Sequence, residues 1–154
     1  MAAQLRDELG ELPSELQFVF GHTHKPFQDE LMVDGYERPV GVFNTGGWVL
    51  DQPTLMATQG GAAMVVDDQL GVASLRLFND CVGGRMRGVH AAGCGMRTRE
   101  DAALVTRLQV QVEANRAGWD AFTAATKNRI ERGSAETVER FLDREHCVLK
   151  EAAQ

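Results

Sequence analysis

The feature that most constrains the fold is a change of rhythm partway along the chain. From Leu16 to Phe78, short apolar runs are separated by Gly, Pro, Asp and Asn. Beyond Arg99, apolar residues recur at three- and four-residue steps. Side chains alternate across a strand but repeat every 3.6 residues around a helix, so the two patterns require different local structure. The rhythm therefore predicts an α+β chain. Residues 16 to 78 read as a β-rich meander of Leu16–Phe20, Glu30–Val33, Val40–Phe43, Ala62–Val66 and Val72–Phe78. Asp34-Gly35 is a hairpin turn signal, and Lys25-Pro26 breaks regular structure. Along the last strand, Leu75, Leu77 and Ala73 are expected to share one face. A short helix over Ala2–Leu9, stopped by Gly10, precedes them.

From Cys81 to Arg99, five glycines alternate with arginines and no acidic residue intervenes, the composition of a flexible connector. Leu104/Val105, Leu108, Val112, Trp119 and Phe122 then form a stripe that Asn115 interrupts. Gly133-Ser134 fits a helix stop followed by an N-cap, and Val138, Phe141, Leu142, Val148 and Leu149 form a second stripe. A C-terminal helical hairpin, or a pair of arms that pack on a partner, is the expectation. The implied divisions are residues 1–80, a Gly/Arg-rich linker at 81–100, and a helical extension at 101–154.

The 154 residues, 44% hydrophobic and 25% charged, suit one domain or a domain with an appendage. A net charge of −6 argues against nucleic acid and anionic membrane as partners. No run approaches the roughly 20 apolar residues of a membrane span. The charged N-terminus lacks the apolar core of a signal peptide. Cys81, Cys94 and Cys147 are odd in number and widely spaced, and with His90 they have no zinc-site spacing. A reducing, cytoplasmic setting follows.

Gly21-His22-Thr23-His24 directly follows Phe18-Val19-Phe20. In extended backbone, imidazoles at i and i+2 point the same way, and neutral imidazole is the commonest ligand of borderline divalent metals. Gly21 removes a Cβ where the chain passes close to the site. Two nitrogens make half a metal site.

Gly21-His22-Thr23-His24-Lys25-Pro26, followed after one hairpin by Phe43-Asn44-Thr45-Gly46-Gly47-Trp48, resembles the C-terminal end of the calcineurin-like metallophosphoesterase family. The resemblance covers about residues 14 to 78. It implies a four-layer α/β/β/α sandwich, with residues 1–80 its C-terminal half. It also implies a dinuclear site of Mn, Fe or Zn, with His22 binding one metal and His24 the other, and hydrolysis of phosphate mono- or diesters. Asn44 is a candidate substrate contact, against the plainer reading that it and Thr45 satisfy turn backbone. Lys25 reads as a solvated lysine or a phosphate attractor, and Trp48 as core or rim packing.

The family's D-x-H, G-D-x-x-D and G-N-H-D/E motifs are absent from this sequence. Metals about 3.5–4 Å apart need anionic ligands to offset their repulsion. The chain alone is therefore expected to be inactive, Met1 to be an internal or misassigned start, and a separate chain to be able to supply the first half. An uncovered apolar face would favour self-association. The competing expectation is a non-catalytic interaction module that uses its paired helices. A weaker one is a small binder of one metal through His22 and His24.

Overall fold

The computed structural model describes residues 2–47, 60–78, 81–82, 85–95 and 99–152. It is mixed α+β, with two small sheets and a long C-terminal helix. Helix α1 (Ala2–Leu9) ends as expected, with the Gly10 N–H returning to the Arg6 carbonyl at 2.9 Å.

The first sheet contains β1 (Gln17–Phe20), β2 (Phe27–Leu31) and β3 (Val40–Asn44) in the order β1-β3-β2. It is not a meander. β1 lies parallel to β3, with Phe20 opposite Asn44, and β2 lies antiparallel on the other side. The reason is burial. β3 is buried at every position and takes the centre, whereas β1 and β2 mix half-buried with exposed positions and take the edges. β2 also starts earlier than expected. The turn bond from the Tyr36 N–H to the Val33 carbonyl takes Met32 and Val33 out of the ladder, which pairs Phe27 with Asn44 and Leu31 with Val40.

The second sheet joins β4 (Gly61–Val66), β5 (Val72–Phe78) and β8 (His90–Ala92), antiparallel in the order β4-β5-β8. Asp67 builds the β4–β5 turn, its Oδ1 accepting from the amides of Gln69 at 3.1 Å and Gly71 at 3.0 Å. The face of β5 turned to the first sheet carries Val72, Ser74, Arg76 and Phe78, all buried, and Ala73, Leu75 and Leu77 share the other face as expected. The core between the sheets joins Phe43, Val72 and Cys94 with half-buried Met64, and the Cys94 thiol donates to the Asp29 carbonyl.

The linker reading does not describe the residues before the helices. β6 (Cys81–Val82) and β7 (Arg85–Met86) form a two-stranded ribbon, β8 extends the second sheet, and Val89 and Cys94 are buried. Glycine-rich composition signals freedom, but here pairing to the β5 edge and core burial oppose it.

Helix α2 (Arg99–Ala114) packs on β5 and β8, burying Leu104 and Val112. Gln109 Oε1 accepts the Ala91 N–H at 2.8 Å, and Arg107 pairs with Asp67 at 2.9 Å. The helical break falls at Asn115, whose Nδ2 donates to the Gln111 carbonyl at 2.9 Å. Its own carbonyl accepts from Gly118 at 3.0 Å and Trp119 at 3.2 Å.

Helix α3 (Arg116–Ala152) then runs unbroken for 37 residues, about 55 Å, so the hairpin turn expected at Gly133-Ser134 does not form. One glycine inside a helix costs only about 1 kcal/mol, and the Thr137 hydroxyl satisfies the Gly133 carbonyl at 2.7 Å. In the second apolar stripe Val138, Phe141 and Leu142 are exposed; the side chains of Val148 and Leu149 lie outside the described residues. Among the described residues no helix is long and apolar enough to cross a membrane.

Candidate functional site

Because β1 and β3 are parallel, the loops that leave their carboxyl ends emerge side by side. In sheets with parallel strands this is where ligands bind. The two loops are the two motifs, Gly21–His24 and Thr45–Gly47. The Thr45 N–H continues the ladder to the Phe20 carbonyl at 2.9 Å, and a Cβ on Gly21 would lie 3.0 Å from Thr45 Oγ1. Gly21 is thus a point of close approach, as its sequence context suggests.

Asn44 ties the loops together. It is 0% exposed; its Nδ2 donates to Thr23 Oγ1, and its Oδ1 accepts from the Gly46 N–H at 2.8 Å. The Thr23 hydroxyl passes its own hydrogen to the Lys25 carbonyl at 3.4 Å. With both ends of its amide used inside the protein, Asn44 braces the two loops. Gly46 has φ +72°, and a Cβ there would lie 2.6 Å from the Gly60 carbonyl. A Cβ on Gly47 would lie 2.6 Å from His24 Cδ2, so the absence of a side chain at Gly47 gives the His24 ring its place. Gly60 donates to the His24 carbonyl at 3.3 Å, and Ala62 donates to the Thr45 carbonyl at 2.8 Å.

The backbone of the histidine pair differs from the extended form expected of it. β1 ends at Phe20, and His22 has φ 88°, a left-handed conformation that costs about 1–3 kcal/mol for a residue with a side chain. Strand alternation therefore does not orient these imidazoles. His22 is exposed, whereas His24 is half-buried against Gly47. Strain of this kind persists where surrounding bonds over-determine it, and the Phe20–Thr45 bond before His22 and the Thr23–Asn44 bond after it flank it on both sides.

Among the described residues no group of three or more His, Cys, Asp or Glu is assembled that could hold a metal ion. The histidines bring two neutral nitrogen donors and no anionic oxygen, so by themselves they do not fit a dinuclear centre. Lys25 is exposed, and Trp48 lies outside the described residues. Cys94 is buried in the core, and the side chains of Cys81 and Cys147 lie outside the described residues.

Sequence reasoning passed over Arg76. It is 8% exposed, and its Nη1 donates to the Pro26 carbonyl at 2.7 Å and to Gln28 Oε1 at 3.2 Å, just beyond the histidine loop. The signal was present: it is the one charged residue in Val72–Phe78, on the same face as Val72 and Phe78.

No family model, no curated protein and no solved structure matches this chain.

Proposed function

We propose that this chain is the C-terminal part of a calcineurin-like metallophosphoesterase, acting on phosphate mono- or diesters in the cytoplasm once anionic metal ligands are supplied from another segment. The observation that carries this reading is the locking of the Gly-His-Thr-His loop against the Asn-Thr-Gly-Gly loop at the carboxyl ends of two parallel strands. The resemblance rests on two motifs separated in sequence, and their junction gives that pairing a physical basis.

In this reading His22 and His24 are metal ligands, Asn44 is their structural brace, and the metals are two divalent ions (Mn, Fe or Zn). A bound ion pair would supply Lewis acidity and an activated water. The residues here contribute two nitrogen donors on a strained, braced loop. The first sheet, packed on the second with α2 beyond, corresponds to inner layers of the four-layer sandwich. β1 stands at a sheet edge, with Phe18 and Val19 exposed on opposite faces. An edge strand apolar on both sides has the character of an interior strand, which supports completion by further strands.

The test is hydrolysis of p-nitrophenyl phosphate and bis-p-nitrophenyl phosphate with Mn²⁺. The 154-residue chain is assayed alone and with the polypeptide encoded in frame upstream. The expected result is no turnover alone, and turnover on mixing that His22→Ala or His24→Ala removes. Robust Mn²⁺-dependent hydrolysis by the chain alone, or a stop codon directly upstream of Met1, overturns the reading.

A second reading, an interaction module, is favoured by α3, where Val138 and Phe141 are exposed, Phe141 at 66%. A stable α3-mediated dimer in sedimentation, abolished by Phe141→Glu, would support it; a monomer would count against it.

A further inference from the structure

Arg76 is a charged residue in a row of core positions. A guanidinium keeps its charge in proteins, and burying it demands hydrogen-bond partners. Its partners therefore indicate what it is there to hold. Two of them belong to the other sheet's β2 and the residue just before it: Nη1 reaches the Pro26 carbonyl at 2.7 Å and Gln28 Oε1 at 3.2 Å. Pro26 is buried and stands two residues after His24. Having no N–H, proline offers its carbonyl as its sole backbone hydrogen-bonding group. The Pro26 ring in turn abuts the second motif, since a Cβ on Gly46 would lie 2.8 Å from its Cδ. The histidine loop is thus fixed at its start by the Phe20–Thr45 bond, in its middle by Asn44, and at its exit by Arg76.

We infer that Arg76 is a positioning residue, which reaches across from the second sheet, pins the Pro26 carbonyl, and thereby fixes the His24 ring over Gly47. What the pinning serves rests on the reading of His22 and His24 as metal ligands; the pinning itself does not. A residue that only filled the core would stabilise both sheets without preference. A pin acts on the loop it holds.

The experiment uses the full chain without metal, followed by NMR. Two loop readouts are the amide exchange of Gly60, bonded to the His24 carbonyl, and the nuclear Overhauser contact between His24 Hδ2 and Gly47 Hα. The reference is the Ala91 amide, bonded to Gln109 Oε1 beside the same second sheet. Arg76→Met is expected to raise Gly60 exchange about tenfold and abolish the His24–Gly47 contact, with Ala91 nearly unchanged. Arg76→Lys keeps one donor and is expected to restore the contact. Equal acceleration at Gly60 and Ala91, or no change at Gly60, overturns the proposal.

Should Arg76→Met fail to fold, Arg76→Gln, uncharged and shorter than arginine, takes its place. Faster exchange confined to Gly60 is expected, and a uniform rise or none is contrary. A wild-type chain whose His22 and His24 resonances ignore added Ni²⁺ would sink the metal reading, while the exchange comparison would still decide Arg76.

Discussion

The two sheets of this protein are built alike and finished differently. The second sheet is covered on both sides: the first sheet meets Val72, Ser74, Arg76 and Phe78, while Ala73, on the opposite face, is also buried, and α2 packs on β5 and β8. The first sheet is covered unevenly: on the face opposite Phe43 its central Val40, Val42 and Asn44 are buried, while the described edge residues are more open. Register places Phe18, Phe27 and Leu31 on the face opposite Phe43, and they are 42%, 39% and 50% exposed. Their rings cluster there, Phe20 lying 5.7 Å from Phe18 and 5.9 Å from Phe27. A contiguous apolar face of this kind marks an interaction surface. The comparison teaches that the sheet carrying the two histidines is also the one with a surface left to cover.

The largest expected effect separates the inner and outer faces of that first sheet. Phe43→Ala removes the centre of the inter-sheet core and should cost about 3–5 kcal/mol in denaturant unfolding. Phe18→Ser on the outer face should change stability by less than about 1 kcal/mol and reduce self-association measured by sedimentation. Equal destabilisation by both would mean that the outer face is already covered, and the contrast would fail.

Next in size is the brace. Asn44→Ala strands the buried Gly46 N–H and removes the tie to the exposed Thr23 hydroxyl, at a cost of about 1–3 kcal/mol in chemical denaturation. A smaller effect of opposite sign is expected at the strained residue. His22→Gly relieves a left-handed backbone and should stabilise the chain by up to about 1 kcal/mol, a gain consistent with a histidine kept there for function.

The smallest effect lies at the α2–α3 junction, away from the sheets. The Arg116 guanidinium, followed by the Gln109 amide, holds the exposed Glu113 carboxyl below its ordinary range. A carboxyl lowered on folding adds stability that is present above the unfolded-state pKa and fades as pH falls through the folded-state value. Acid titration of helical circular dichroism should therefore show a slight loss below the ordinary carboxylate range, and Glu113→Gln should remove it.

Much of the local structure was legible in the residues. Gly10 stops α1 and Asp67–Gly71 turns β4 into β5, each because one side chain or one missing Cβ decides the matter nearby, whereas Asn115 read only as a gap in the stripe and not as the helix break it is. Pairing was not legible. The parallel β1–β3 register, which brings the two motifs together, depends on which strand is buried on both faces, and that is settled by the whole core. The Gly/Arg stretch misled because composition reports the freedom of the unfolded chain, whereas β8 is fixed by the edge it joins. Gly133-Ser134 misled because a stop signal ends a helix only when the chain has somewhere else to go. At the site, the two motifs were legible as residues, but the meeting of their loops was not. The left-handed His22 and the buried Arg76 emerge only once the loops and sheets meet.

The most direct test of the central claim, that His22 and His24 act as one half-built pair, is a Ni²⁺ titration of the full chain followed through both imidazole Cε1–H signals. The account predicts that the two signals shift together with one weak dissociation constant, and that His22→Ala abolishes the response of His24. Independent responses, or a His24 response that survives loss of His22, would contradict it.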